Sequence, residues 1–232
     1  ISNKKLSTQA LLAGILIALL IICTFTNPFI EQIRMTKVIL ITGTSTGIGL
    51  ETAVRLAEQG HQVYATMRNL EKRSLLEQEA EKRNVKLRIR QLDVQDEKSI
   101  QSCVAEIISN ENKIDVLINN AGAGFIKPME QASMDEIQQV MDINFYGVIR
   151  CCKAVMPYMR QQKSGHIINI SSVGGIVGSP VNEIYCAAKF ALEGLTESLA
   201  TYLEPYFGIY ISLIEPGGTI SEFGNSLTKY FE

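Results

Sequence analysis

Residues 38–49 read Val38-Ile39-Leu40-Ile41-Thr42-Gly43-Thr44-Ser45-Thr46-Gly47-Ile48-Gly49, an apolar, largely β-branched run that passes straight into a glycine-rich turn and then into a helical pattern. A continuous apolar run is what a strand buried on both faces requires. In the turn, Gly43, Gly47 and Gly49 let the backbone bend sharply and come close to a pyrophosphate, with Ser45, Thr46 and Ile48 between them. Free N–H groups and the dipole at the start of the helix favour negative charge there. A glycine-rich turn by itself is a weak signal. At the first strand-to-helix junction it occupies the context a dinucleotide fingerprint needs.

Working outward from that junction, short β-branched runs at residues 38–42, 62–66, 87–93, 116–119, 166–171 and 209–215 alternate with amphipathic stretches at 48–59, 70–84, 95–109, 133–161 and 185–206. Six strands alternating with five helices predict a single-domain α/β fold, a Rossmann-type doubly wound parallel sheet with ligands at the carboxyl ends of the strands. No repeat, low-complexity tract or linker follows Met35, and the charges of residues 71–83 read as one solvated helix face.

The 232 residues, 46% apolar and 20% charged, suit one well-filled domain. A net charge of −2, from 22 basic and 24 acidic residues, excludes the strong field of a nucleic-acid binder. Cys23, Cys103, Cys151, Cys152 and Cys186 are odd in number and lack CxxC spacing, so they read as reduced thiols. His61 and His166 lie far apart, and no metal site is expected.

The expected domain limits are 1–34 for an N-terminal segment and 35–232 for the catalytic domain. Within the first, Lys4 and Lys5 precede an apolar stretch from Ala10 to Cys23, extending to Thr26 before Asn27 and Pro28 stop a helix. That length borders on a short membrane span, and without a small-residue cleavage site it reads as an uncleaved anchor. The alternative is a hydrophobic leader absent from the working protein, since Met35 would be a natural start. The expected location is membrane-anchored with a cytoplasmic catalytic domain, or soluble and cytoplasmic in the alternative.

The end of the second strand reads Tyr64-Ala65-Thr66-Met67-Arg68-Asn69. An NAD-selective site places a carboxylate here for the ribose 2′-hydroxyl; an arginine instead suits a 2′-phosphate. Arg68 is therefore expected to select NADP(H), the competing reading being an ordinary surface arginine. In Tyr185-Cys186-Ala187-Ala188-Lys189 a phenol and an ammonium lie one helical turn apart. A nearby ammonium favours the phenolate and lowers the phenol's pKa, which makes the pair an acid–base catalyst. The competing reading is a tyrosine packed on a lysine stem.

These motifs occur in an order that resembles the short-chain dehydrogenase/reductase family over residues 35–223. Thr42 to Gly49 matches TGxxxGIG, and Asn119-Asn120-Ala121-Gly122 matches NNAG. Asp93-Val94 follows the third strand, where the family contacts adenine; a strand-end cap is the alternative. Asn144, in Met141-Asp142-Ile143-Asn144-Phe145-Tyr146-Gly147, and Ser172, thirteen residues before Tyr185, hold the positions of the family's catalytic asparagine and serine. Ser172 alone would read as a turn residue. Pro216 and Gly217 match the family's PG, followed by Ser221 or Thr219 as the hydroxyl that contacts the carboxamide.

The resemblance implies that Tyr185 exchanges a proton with the substrate oxygen and Ser172 orients that oxygen. It also implies that Lys189 lowers the tyrosine pKa and binds the nicotinamide ribose, and that Asn144 holds a relay water. The sequences after the second and sixth strands are similar to the hydroxysteroid and retinol dehydrogenase branch, which implies a lipophilic alcohol or ketone. Small and apolar residues at 124–128 and 174–183, Ile176, Val177 and Val181 among them, agree with that. The family's habit implies a homodimer or homotetramer. It also implies a substrate loop, a helix and a seventh strand beyond Glu232. A catalytically inactive NADP-binding regulatory or scaffold protein is the alternative from a different functional class.

Overall fold

The computed structural model describes residues 36–217. The apolar stretch at 10–26, Thr219 and Ser221 lie outside the described residues. Among the described residues six strands alternate with helices, two of which lie between the fourth and fifth strands. They are β1 (Val38–Thr42), α1 (Gly47–Glu58), β2 (Gln62–Met67), α2 (Ser74–Lys82), β3 (Arg88–Gln91), α3 (Glu97–Glu111), β4 (Val116–Asn119), α4 (Met134–Met141), α5 (Gly147–Gln162), β5 (Gly165–Ile170), α6 (Glu183–Phe207) and β6 (Ile209–Ile214). All strand pairs are parallel, and their order is β3-β2-β1-β4-β5-β6. The chain reverses its winding between β1 and β4, so the crevice at their carboxyl ends is where a doubly wound sheet binds ligands.

β1 is buried on both faces, and its alternation shows how the layers form. Val38 and Leu40 point to one side, into a cluster with Ile100 and Ile107 of α3, Val155 of α5 and Leu192 of α6. Ile39 and Ile41 point to the other, into a cluster with Leu50 and Val54 of α1 and Leu76 of α2. Period-2 alternation inside an unbroken apolar run thus serves two helical layers at once. Among the described residues no helix is long and apolar enough to cross a membrane. Cys103, Cys151, Cys152 and Cys186 are free and buried.

Three elements depart from the sequence-based expectation. The stretch 70–84 opens as a 3-10 turn, Leu70–Arg73, because the Asn69 side chain accepts the Glu71 N–H and tightens the backbone before α2 begins. β3 is shorter than 87–93. The Asp93 carboxylate accepts the Gln95 N–H, and the Ser99 hydroxyl accepts the Asp93 N–H, which draws the backbone off the ladder. The expected helix 133–161 is interrupted by a π-turn, Asp142–Tyr146, in which the Gly147 N–H reaches back five residues to the Asp142 carbonyl. Asn144 lies at the centre of that turn. A capping box of Ser133 and Glu136 starts α4.

Candidate active site

A cleft of about 360 Å3 opens at the carboxyl ends of β1, β2, β4 and β5. Its floor is the turn that follows β1. Gly43 adopts φ +72°, and a Cβ there would lie 2.7 Å from the Ala121 Cα. At Gly49 a Cβ would lie 2.3 Å from both the Asn120 amide nitrogen and the Gly43 carbonyl oxygen. Asn120 closes this junction by donating to the Thr42 and Gly43 carbonyls at 2.9 and 2.8 Å. The Thr42 hydroxyl accepts the N–H groups of Asn120 and Ala121. The two loops at the switch point are therefore one hydrogen-bonded piece.

Thr46, at the N-cap of α1, is extended and makes no side-chain cap bond, and the first turn carries no acidic residue. By contrast α3 and α4 are capped by Asp96 and Ser133. The first-turn N–H groups of α1 are thus left to face the cleft, and with the close-approach glycines they fit a diphosphate. Replacing Gly49 with Ala is expected to force the Asn120 amide out of place. Stability should drop by about 1–3 kcal/mol and dinucleotide affinity by at least about 10-fold, read by thermal melts and nucleotide fluorescence titration.

The expected cofactor residues within the described part all line the cleft: Gly43, Ser45, Thr46, Gly47, Ile48 and Gly49 on the floor, Arg68, Asp93 and Val94 at one end, and Asn120, Ala121, Gly122, Pro216 and Gly217 toward the other. Arg68 is exposed, and no carboxylate pairs with it among the described residues. Asp93 both lines the cleft and caps its own turn, so its two readings coexist.

At the end of the cleft opposite Arg68, four side chains meet. α6 starts two residues before Tyr185, so Tyr185 and Lys189 stand one turn apart on its buried face. The Lys189 Nζ donates to the Ile170 carbonyl at 2.9 Å and lies 5.7 Å from the centre of the Tyr185 ring. Ser172 is hydrogen-bonded to the Tyr185 phenol, and its Oγ also accepts the Gly174 N–H at 3.0 Å. Asn144 is fully buried. Its amide donates to the carbonyls of Val140 and Ala123, and its Oδ1 accepts the Ala123 N–H. A Cβ on Gly122 would lie 3.0 Å from the Asn144 Oδ1 and 3.8 Å from the Lys189 Nζ, so both atoms border the same small space.

Burial sets the electrostatics. It pushes the Tyr185 phenol up, and the Ser172 hydrogen bond pulls the other way. It pushes Lys189 down to about 8, opposed by the charge of Glu193. The sequence-based expectation made Lys189 the group that lowers the Tyr185 pKa. Here burial is the largest influence on the phenol and raises it; the Ser172 hydrogen bond lowers it and the neighbouring Cys186 raises it. A phenol held above its ordinary value stays protonated at neutral pH, the state a proton donor needs.

The model of the short chain dehydrogenase family matches residues 37–230. The chain belongs to that family. It is 47% identical over 197 residues to retinol dehydrogenase 8 of Bos taurus, covering 83% of this chain and 62% of that protein. To 17-beta-hydroxysteroid dehydrogenase type 1 of Mus musculus it is 44% identical over 199 residues, covering 82% and 56%. This short-chain dehydrogenase therefore falls in the hydroxysteroid and retinol branch, and spans about three fifths of the length of these curated relatives. An actinorhodin polyketide ketoreductase solved with NADPH superposes with a TM-score of 0.80 at 30% identity, covering 84% of this chain and 76% of that one. An NAD+-bound xylitol dehydrogenase superposes at 0.74 with 35% identity, covering 79% and 71%. The fold of this family member is thus the Rossmann-like one expected from its strand order.

Sequence reasoning missed several residues of the site. Met67, Gln95, Ala123 and Ile143 line the cleft, and Ile170 supplies a carbonyl to Lys189. Every residue carries a carbonyl, so nothing at position 170 marked it. Gln95 is tied to Asp142 at 2.9 Å, a contact across 47 residues that no local pattern announces.

Proposed function

We propose that this short-chain dehydrogenase is an NADP(H)-dependent oxidoreductase that interconverts a carbonyl and a primary or secondary alcohol on a lipophilic substrate. The observation that carries the reading is the meeting of Asn144, Ser172, Tyr185 and Lys189 at one end of a cleft whose floor is a diphosphate cradle. A pure binder has no use for a buried lysine at this cost in desolvation. A nicotinamide dinucleotide, when bound, supplies or takes up the hydride.

The chain's own residues do the rest. Tyr185 gives the proton to the substrate oxygen in reduction and takes it in oxidation. Ser172, anchored through the Gly174 N–H and in contact with the Tyr185 phenol, orients that oxygen and stabilises the charge that develops on it. Lys189, held by the Ile170 carbonyl, keeps a positive charge beside the phenol and binds the ribose. Asn144, fixed by three hydrogen bonds, holds the segment after Gly122 open for a relay water near Lys189.

Arg68 supports the NADP(H) preference, since it is exposed at the end of β2 and no carboxylate among the described residues pairs with it. Arg68→Ala is expected to raise the KM for NADPH about 10-fold, the value of one charge-assisted contact, and the KM for NADH by less than about 2-fold. Equal changes would assign Arg68 to the surface. The names of the two curated relatives support a lipophilic substrate, with retinol in one and a hydroxysteroid in the other.

The proposal includes an anchor at residues 10–26 with the catalytic domain in the cytoplasm, and a homodimer or homotetramer. Light scattering in detergent reads the second, and partition of the full chain into membranes resistant to alkaline extraction reads the first. Activity is tested by offering the full chain NADPH with retinaldehyde and steroid ketones while following nicotinamide absorbance. Tight NADPH binding without turnover of any carbonyl would support the inactive scaffold instead.

A further inference from the structure

One turn beyond Lys189 on α6 stands Glu193, whose Oε1 is buried and has no hydrogen-bond partner in the described structure. The Ser171 Oγ is in the same condition. The two atoms converge on Gly175, where a Cβ would lie 2.8 Å from the Ser171 Oγ and 2.9 Å from the Glu193 Oε1. Ser171 directly follows Ile170, whose carbonyl holds the Lys189 Nζ. An acid therefore stands one turn behind the proton-transfer site, with one oxygen buried against the Ser171–Gly175 turn.

We propose that Glu193 is a positioning residue of the proton-transfer site: seated against Ser171 and Gly175 one turn behind Lys189, its carboxylate holds the lysine as an ammonium aimed at the Ile170 carbonyl. The proposal rests on the functional reading above for its catalytic consequence, though not for the coupling itself.

On α6 itself Tyr185 and Cys186 precede Lys189 by about one turn, and Glu193 follows it. Tyr185 lies on the same helix and carries no charge while its phenol is protonated. From the turn after β5 come Ser171 and Ser172, from the π-turn Asn144, all uncharged. Asp142 in that turn is paired with Arg150, and Glu136 of α4 with Lys127. β6 contributes Tyr210 alone as a titratable group. Glu193 is the charged group that opposes the desolvation of Lys189. Residues one turn apart on a helix share a face, which is the geometry this coupling needs.

Glu193→Gln keeps the shape and removes the charge. In the full chain labelled with 13C at the lysine ε-carbon, the Lys189 titration is expected to move about one unit to lower pH than in the wild type. Glu193→Asp, which keeps the charge, should stay within about 0.3 unit of the wild type. The alkaline limb of kcat/KM for carbonyl reduction should follow the same displacement in E193Q, by about one unit to lower pH. An unmoved Lys189 titration in E193Q, with its thermal melt showing a folded chain, overturns the proposal. If the lysine titration moves and no carbonyl is turned over by any form, the coupling stands and the oxidoreductase reading falls.

Discussion

Tyr185→Phe is expected to lower kcat for carbonyl reduction by about 10³-fold, within the range that loss of a positioned general acid produces. NADPH affinity should change by less than about 2-fold. The separation follows from where the hydroxyl sits. The Tyr185 ring is buried on α6 and remains packed in the variant, so the cleft keeps its shape. Only the phenol oxygen is lost, and with it the hydrogen bond to Ser172. Because burial raises the phenol's pKa, the wild type carries its proton at neutral pH and should be active in reduction without an activating pH jump. Single-turnover absorbance traces with saturating NADPH read the chemical step directly; a variant that keeps more than about a tenth of the rate would remove Tyr185 from the role of proton donor.

Lys189→Met should have effects of opposite sign on catalysis and stability. Turnover is expected to fall by about 10²- to 10⁴-fold, since the variant loses the charge beside the phenol and, on the proposed function, the group that would hold the ribose. Stability at pH 7 should rise. Burial takes Lys189 from its ordinary 10.5 to about 8, so folding disfavours the protonated form. Below about pH 8 the whole penalty is present, about 3 kcal/mol from the displacement of its pKa. The lost bond to the Ile170 carbonyl returns about 1 kcal/mol of that. A net gain of about 2 kcal/mol corresponds to a rise in Tm of about 4–8 °C for a chain of this size. Between pH 8 and 10.5 the unfolded chain binds a proton that the folded chain has released, so wild-type stability climbs with pH and the variant's advantage disappears. Melts at pH 7 and near pH 10 test this, and an advantage that persists at the higher pH would deny that the lysine charge is its source.

The reading from sequence went far where local chemistry is sufficient. Val38 to Thr42 has one stable use, a strand covered on both faces, and its length matches the observed β1. The Gly43–Gly49 turn needs the absence of Cβ atoms, which glycine alone provides, and the structure shows the clashes that a methyl would make. Tyr185 and Lys189 share a helix face because helical geometry dictates it. Boundaries failed where side chains compete with the backbone. Asn69 turns the start of α2 into a 3-10 turn, and Asp93 with Ser99 shortens β3. The π-turn that presents Asn144 has a normal helical pattern of residues; it exists because the Asn144 amide satisfies the Val140 carbonyl while reaching across to Ala123.

By itself the sequence determined the order of the strands along the chain, the glycine cradle, the Arg68 at the end of β2 and the identity of the four side chains that meet in the cleft. Only the tertiary structure decided how much water each of them keeps. Desolvation depends on what packs around a group from distant parts of the chain, so it placed the Tyr185 phenol above its ordinary pKa, drew Lys189 down, and left the Glu193 carboxylate behind them with the task of opposing that shift.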